Sequence, residues 1–325
     1  MSDKSAGFSG DLINWARGLC MGAADIVPGV SGGTMALILG HYERLVTAIS
    51  HVDGTLLGLV RRGDLSQAAR YLDLRFLLGL LAGIATGIVG LASLMNYLLE
   101  HQQGYTYAVF FGLILGSSYL VARRLKRWDA SCITLLIVGS LMAWQICRLT
   151  PAQAELTPLS AFLAATVAIC AMILPGISGA FVLLLMGLYH PITALIKGVP
   201  RLEFTLQGLL IIASFGCGCL VGLLAFSHVL KWLLAHRHDP TMAFLVGLMF
   251  GSLYKIWPFQ QVTEATAQLP FKEQAFEHLW PTASSVSLPV VIALVIVALI
   301  ATLALEKIGN RLAPSTKNQE PRTKN

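Results

Sequence analysis

Charge is what this chain has least of. Its 325 residues include 23 Lys and Arg and 17 Asp and Glu, or 12% charged residues, where a soluble domain carries about 25%. That supply cannot cover a folded surface with water-facing groups, which excludes a soluble enzyme, a disordered chain and a nucleic-acid binder. The six cysteines (Cys20, Cys132, Cys147, Cys170, Cys217 and Cys219) form no Cys-x-x-Cys pair and lie in or beside apolar runs. They read as apolar thiols, so no metal site and no disulfide framework is expected, and no cofactor. The start of the chain mixes charges and has no compact apolar core before Arg17, so a cleaved signal is not expected either.

What the chain has in excess is apolar length, with 55% hydrophobic residues and a mean hydropathy of +0.69. A membrane-crossing helix needs roughly 20 apolar residues. Six segments are predicted to cross: 76–99, 105–121, 131–146, 206–234, 242–257 and 286–305. Two more, 13–49 and 161–196, are too long for one crossing and carry Pro-Gly-x-Ser-Gly at their centres. Proline removes a backbone donor and glycine relaxes φ, so each is predicted to be two half-helices around an unwound centre, a re-entrant hairpin.

The two interrupted stretches are copies. At an offset of 147, nine of 24 positions are identical: Ile26, Pro28, Gly29, Ser31, Gly32, Leu37, Gly40, Tyr42 and Ile49. A second match at an offset of 135 keeps Ala108, Gly112, Leu113, Gly116, Ser117 and Tyr119, and pairs Gly83 and Gly87 with Gly218 and Gly222. The chain therefore reads as a first membrane repeat over 1–150, a second over 151–306 and a basic tail over 307–325.

Lysine and arginine set the orientation. Sixteen of the 23 lie in 44–75, 123–127, 231–237 and the tail, against five in the opposite loops. By the positive-inside rule the first group faces the cytoplasm, together with both termini. That assignment requires an even number of crossings in each hairpin, and so inverts the second repeat. The expected fold class is all-α and polytopic: two inverted repeats, each with one broken re-entrant hairpin and about three spanning helices, a transporter architecture. An oligomer is compatible with it.

The chemistry concentrates at the breaks. Ser31 is placed to cap the half-helix that begins with Gly32, Gly33 and Thr34. The first N–H groups of a helix lack intrahelical partners and carry partial positive charge, so such an end can bind phosphate. Pro28 and Gly29 open that motif, and Pro175, Gly176, Ser178 and Gly179 repeat it from the other side. All ten are candidate substrate-binding residues; the alternative is a pair of packing kinks.

Four charged residues are candidates for coupling or gating. Arg17 and Asp25 are the charges inside the first stretch before its break, and an ionisable residue in the membrane is a functional candidate by default. Arg17 can instead snorkel to headgroups, and Asp25 can instead bond the unwound backbone of its own break. Glu43 and Arg44 either line an entrance or are solvated loop ends. Met172, His190 and Pro191 stand at the equivalents of Asp25, Glu43 and Arg44, so the charges are asymmetric on a duplicated scaffold.

The segment GAADIVPGVSGGTMALILGHYE (22–43), with the later LPGISGAFVLLLMGLY (174–189), resembles the bacterial undecaprenyl-phosphate translocases, or polyprenyl-phosphate transporters. That family was formerly a membrane domain of unknown function. The likeness spans about 14–305. It implies a flippase returning the C55 carrier phosphate from the outer to the cytoplasmic leaflet for cell-wall synthesis, in the bacterial cytoplasmic membrane. Its implied partners are the polyprenyl phosphate, membrane lipids and a coupling proton or sodium ion. Ala180 and Phe181 replace Gly33 and Thr34 in the second motif, so the two sites are not expected to bind equally. Two rivals stand beside this reading. One is an ion-coupled transporter of a small soluble anion. The other is a polyprenyl-pyrophosphate phosphatase, whose PGxS segment continues with Arg-Ser where Gly32 and Gly33 stand here.

Overall fold

The computed structural model of the chain describes residues 8–26, 31–123, 125–149, 154–198, 205–266, 268, 274, 276–281 and 286–312. Pro28 and Gly29 lie outside the described residues. The first half contains α1 (Phe8–Ile26), α2 (Gly32–Ile38), α3 (Tyr42–Ser50), α4 (Gly54–Arg61), α5 (Leu65–Tyr71), α6 (Leu74–His101), α7 (Gln103–Ala122) and α8 (Ala130–Arg148). The second half contains α9 (Pro158–Ile173), α10 (Gly179–Leu185), α11 (Tyr189–Gly198), α12 (Leu206–His236), α13 (His238–Ser252) and α14 (Leu288–Leu312). Between the last two, β1 (Gln260–Val262) and β2 (Phe276–His278) form an antiparallel pair that the sequence pattern did not announce.

Local chemistry starts the helices. Asp53, Asp64, Asp129 and Thr205 each accept a first-turn N–H, of α4, α5, α8 and α12 respectively. Thr157 and Ser160 close a capping box around Pro158 at the start of α9.

Each broken stretch makes three helical pieces, not the two expected. The extra bend falls at Gly40 and at its copy Gly187, with φ of +72° and +73°. There the His41 and Gly40 N–H groups bond back to Ala36 and Leu37, and Leu188 and Gly187 do the same to Leu183 and Leu184. This is a Schellman ending, which requires the left-handed residue that glycine supplies. At the second copy it bends α10 against α11 by 115°.

Among the described residues four helices, α6, α7, α8 and α12, are long and apolar enough to cross a membrane, and α10 with α11 makes a bent fifth candidate. The segment expected to cross at 242–257 is instead the 15-residue α13, shifted toward the N-terminus. Residues 253–256 are turn instead of helix, and Trp257, which precedes Pro258, does not resume it because a residue before proline avoids the helical region. Helix α14 runs past 305 to Leu312 and so takes in the start of the tail. Of the cysteines, Cys132 is buried as expected, whereas Cys217 is exposed.

Glycine decides how the long helices pair. A Cβ on Gly83 or Gly87 of α6 would strike the backbone of Trp15 or Leu19 on α1. On α12, Gly218 and Gly222 stand against Phe162 and Thr166 of α9, the same positions shifted by the repeat offsets. Likewise Gly112 and Gly116 of α7 pack on Val295 and Leu299 of α14, while Gly247 and Gly251 of α13 pack on Leu136 and Ser140 of α8. Contact levels rise together in every pair, so all four pairs run parallel. The final helix of each repeat is exchanged, packing on the other repeat. Small residues at such seams let backbones approach, where van der Waals contact drives association.

Candidate functional site

The two Pro-Gly-x-Ser-Gly copies meet. Thr34, fully buried on α2, accepts a hydrogen bond at Oγ1 from the Gly176 N–H at 2.8 Å. Ser31 Oγ donates to the Leu174 carbonyl and accepts from the Thr34 N–H, both at 3.4 Å. Tyr42, on α3, donates its hydroxyl to the Ile173 carbonyl at 3.1 Å. Side chains of the first repeat thus satisfy carbonyls at the end of α9 that lack intrahelical donors. Gly33 makes this approach possible, because a Cβ there would stand 2.7 Å from the Ile173 oxygen.

The copies differ in geometry. Helix α2 is capped by Ser31, whereas Ser178 makes no side-chain cap for α10. Pro175 and Gly176 are buried, Gly176 with φ +87°, and a Cβ on Gly176 would meet the Leu248 oxygen of α13 at 2.8 Å. Gly179 packs on the Ala168 carbonyl of α9.

Asp25 holds the N-terminus of α2. Its Oδ1 accepts the Gly32 N–H at 2.6 Å, so a carboxylate already occupies the end suited to an anion. Arg17 does not pair with it; Arg17 donates to Asn14 Oδ1 at 3.3 Å, further down α1. Glu43 and Arg44 part company as well. Arg44 grips Asp73 through Nε at 2.6 Å and Nη2 at 3.2 Å and lies over the Phe76 ring. Exposed Glu43 reaches His238 of α13 at 3.2 Å, and Asp239 accepts from His238 and from the Lys126 and Arg127 N–H groups. The Asp239 carboxylate, with Glu43 behind it, holds the His238 imidazole above its ordinary range. These contacts join the ends of α3, α7 and α13 on the side rich in Lys and Arg.

Sequence reasoning missed three residues here. Tyr42 was legible as one of the nine identities but was assigned no role. His41, 2% exposed, sits at the new bend with Nε2 3.3 Å from Met21 Sδ. Lys255, half-buried, places its ammonium 4.6 Å from the Phe181 ring centroid, beside the second motif. Next to it opens an apolar groove of about 500 Å³, lined by Phe111, Tyr254, Trp257 and Trp280 among others. Among the described residues no three His, Cys, Asp or Glu gather as metal ligands.

A helical membrane protein in which two Pro-Gly-x-Ser-Gly copies bond to one another, through the Gly176 N–H and the Ile173 and Leu174 carbonyls, is the class these features define. The family model described as undecaprenyl phosphate translocase-like (VCA0040-like) matches residues 21–273, and the chain belongs to that family. It is 40% identical over 310 residues to a polyprenyl-phosphate transporter of Vibrio cholerae, covering 92% of this chain and 97% of that one. It is 33% identical over 262 residues to a polyprenyl-phosphate transporter of Staphylococcus aureus, covering 76% and 86%. No solved structure matches the chain.

Proposed function

We propose that this protein is a flippase that carries undecaprenyl phosphate from the outer to the cytoplasmic leaflet of the bacterial cytoplasmic membrane, for reuse in cell-wall synthesis. The observation that carries the reading is the crossing itself: Ser31–Thr34 of one repeat bonded to Leu174–Gly176 of the other, in a family of polyprenyl-phosphate carriers. The phosphate binds where these breaks meet, at Ser31, Gly32, Gly33, Thr34, Ser178 and Gly179, mainly through backbone N–H groups. The prenyl chain stays in lipid and along the apolar groove near Trp280. Because Asp25 already fills the α2 end, the phosphate must displace an internal anion. Protonation of Asp25, or a sodium ion beside it, eases that displacement and couples transport to the ion.

The test is reconstitution into liposomes with labelled undecaprenyl phosphate in one leaflet and labelled inorganic phosphate in parallel. Lipid flipping without movement of inorganic phosphate is expected. Movement of inorganic phosphate alone would make the protein a soluble-anion transporter, and movement of neither would end the transport reading.

The inverted arrangement of the repeats belongs to the same proposal. The Asp11–Arg75 ion pair, 2.7 Å, brings the starts of α1 and α6 to one level. The parallel run of these helices supports a hairpin that returns to its own side. The same argument holds for α9 and α12, and the parallel pairs α7–α14 and α8–α13 support opposite directions for the two repeats. In a cysteine-free background, a cysteine at Gln261 should react with an impermeant reagent added outside the cell and one at Lys126 should not. The reverse pattern would overturn the orientation.

A further inference from the structure

We propose that Arg17, His41 and Arg44 form a second anion site, separate from the crossing of the motifs, that takes a phosphomonoester group. Three elements converge to build it. Met21 lies one helical turn beyond Arg17 on α1, and residues so spaced share a face. His41, at the bend between α2 and α3, touches Met21 Sδ and packs edge-on against Phe76 of α6 with centroids 6.1 Å apart. The Arg44 guanidinium lies 4.4 Å over the same Phe76 ring. Arg17 and Arg44 lie near enough to act electrostatically on each other and on His41.

The surrounding acids do not balance this charge. Asp73 engages Arg44, Asp11 engages Arg75, Asp25 holds the Gly32 N–H, and Glu43 points to His238. Among the described residues Arg17 has no carboxylate partner. His41 Nδ1 is buried without a hydrogen-bond partner among the described residues, with the Leu39 backbone close enough to act on the ring. A buried polar atom left unbonded calls for an explanation. A guanidinium without a carboxylate suits a phosphate, since the planar guanidinium matches phosphate oxygens and ionised acceptors give the stronger bonds. His41 Nδ1 joins it as a donor once the incoming anion protonates the ring, because a thioether sulfur can only accept from Nε2.

The duplication supplies an internal control. The equivalents of Arg17, His41 and Arg44 are Ala164, Leu188 and Pro191. Ala164 and Leu188 are 2% exposed each and pack with Ile192, Leu156, Met186 and Phe215 into an apolar cluster. The scaffold is the same at both ends, yet donors replace the packed plug at one end alone, the end beside the basic loops. Arg17 stands six residues along α1 from the Asp11–Arg75 pair, roughly 9 Å deeper at 1.5 Å per residue. The site therefore lies between that end and the crossing, placed to receive a headgroup leaving the motifs. Only the lipid nature of the ligand rests on the flippase reading.

The full chain in nanodiscs tests this by equilibrium binding of a water-soluble two-isoprene prenyl monophosphate, with inorganic phosphate as competitor. Arg17→Gln and His41→Gln should each weaken binding about tenfold or more, as expected for loss of a charge-assisted donor, while Arg17→Lys keeps most of it. If His41→Gln does not fold, Arg17→Gln, changed at a half-buried position, carries the test. Competition by inorganic phosphate at similar concentration would assign the site to the free anion. Absence of competition would assign it to the lipid headgroup, and either result supports the site. Wild-type affinity in folded Arg17→Gln overturns it. Arg17-dependent binding in a protein that flips no lipid keeps the site and removes the flippase reading; flipping with wild-type binding in Arg17→Gln does the opposite.

Discussion

Gly33→Ala should cost the protein both stability and at least tenfold in lipid-phosphate flipping. The added methyl would stand 2.7 Å from the Ile173 carbonyl, 3.1 Å from the Met172 carbonyl and 3.2 Å from Ser31 Oγ. The first two are backbone atoms at the end of α9, held by Tyr42 below and Leu174–Ser31 beside. They cannot swing away as a side chain would, so α2 must retreat from α9. Retreat breaks the Thr34–Gly176 bond, and overpacking of a filled interior costs on the order of 1–3 kcal/mol. Gly32→Ala is the informative comparison. Its methyl meets a side-chain atom, the Asp25 carboxylate at 2.8 Å, which can turn aside where backbone cannot, so the fold should survive better while the Asp25–Gly32 bond is lost. Thermal unfolding in detergent and flipping in liposomes measure both. Wild-type flipping in Gly33→Ala would mean that the crossing of the motifs is not the transport site.

Asp25→Asn should flip lipid phosphate with no remaining dependence on pH or sodium. Asparagine keeps an acceptor oxygen for the Gly32 N–H, so α2 stays capped, although the bond loses its ionic component and about half its strength. What it cannot do is titrate or balance a cation. With the internal anion neutralised, nothing competes with the incoming phosphate, so prenyl monophosphate should bind more tightly even as coupling is lost. Transport rates across a pH series and with imposed sodium gradients decide the matter. Unchanged ion dependence in a folded Asp25→Asn protein leaves Asp25 as a cap for its own break and nothing more.

The placement of Asp25 shows where linear reading ends. Its position three residues before Pro28 marked it as special, and both of its candidate roles could be written from that position. Which N–H it meets depends on how α2 folds back over the end of α1, a matter of packing. Arg17 shows the same limit. From the sequence it read as a coupling charge or as a side chain snorkelling to headgroups, yet it turns to Asn14, three residues away on the same face. Gly40 and Gly187 were matched columns of the repeat, but a lone glycine in an apolar run reads as a packing residue. Its positive φ arises only when the following helix must turn aside to pack elsewhere.

Composition and apolar runs were enough to establish a helical membrane chain, because burial in lipid and backbone satisfaction leave a patterned sequence few alternatives, and internal identity marked its two Pro-Gly-x-Ser-Gly copies. The order of the two copies and the residues at which they differ could also be read there. Tertiary structure alone decided that α8 and α14 trade places between repeats, that the two breaks bond to one another, and that His41 comes to lie beside Arg17 and Arg44. Each of these joins residues far apart in the chain or on different elements, and sequence periodicity reports which face of a helix is apolar without naming the helix that will cover it.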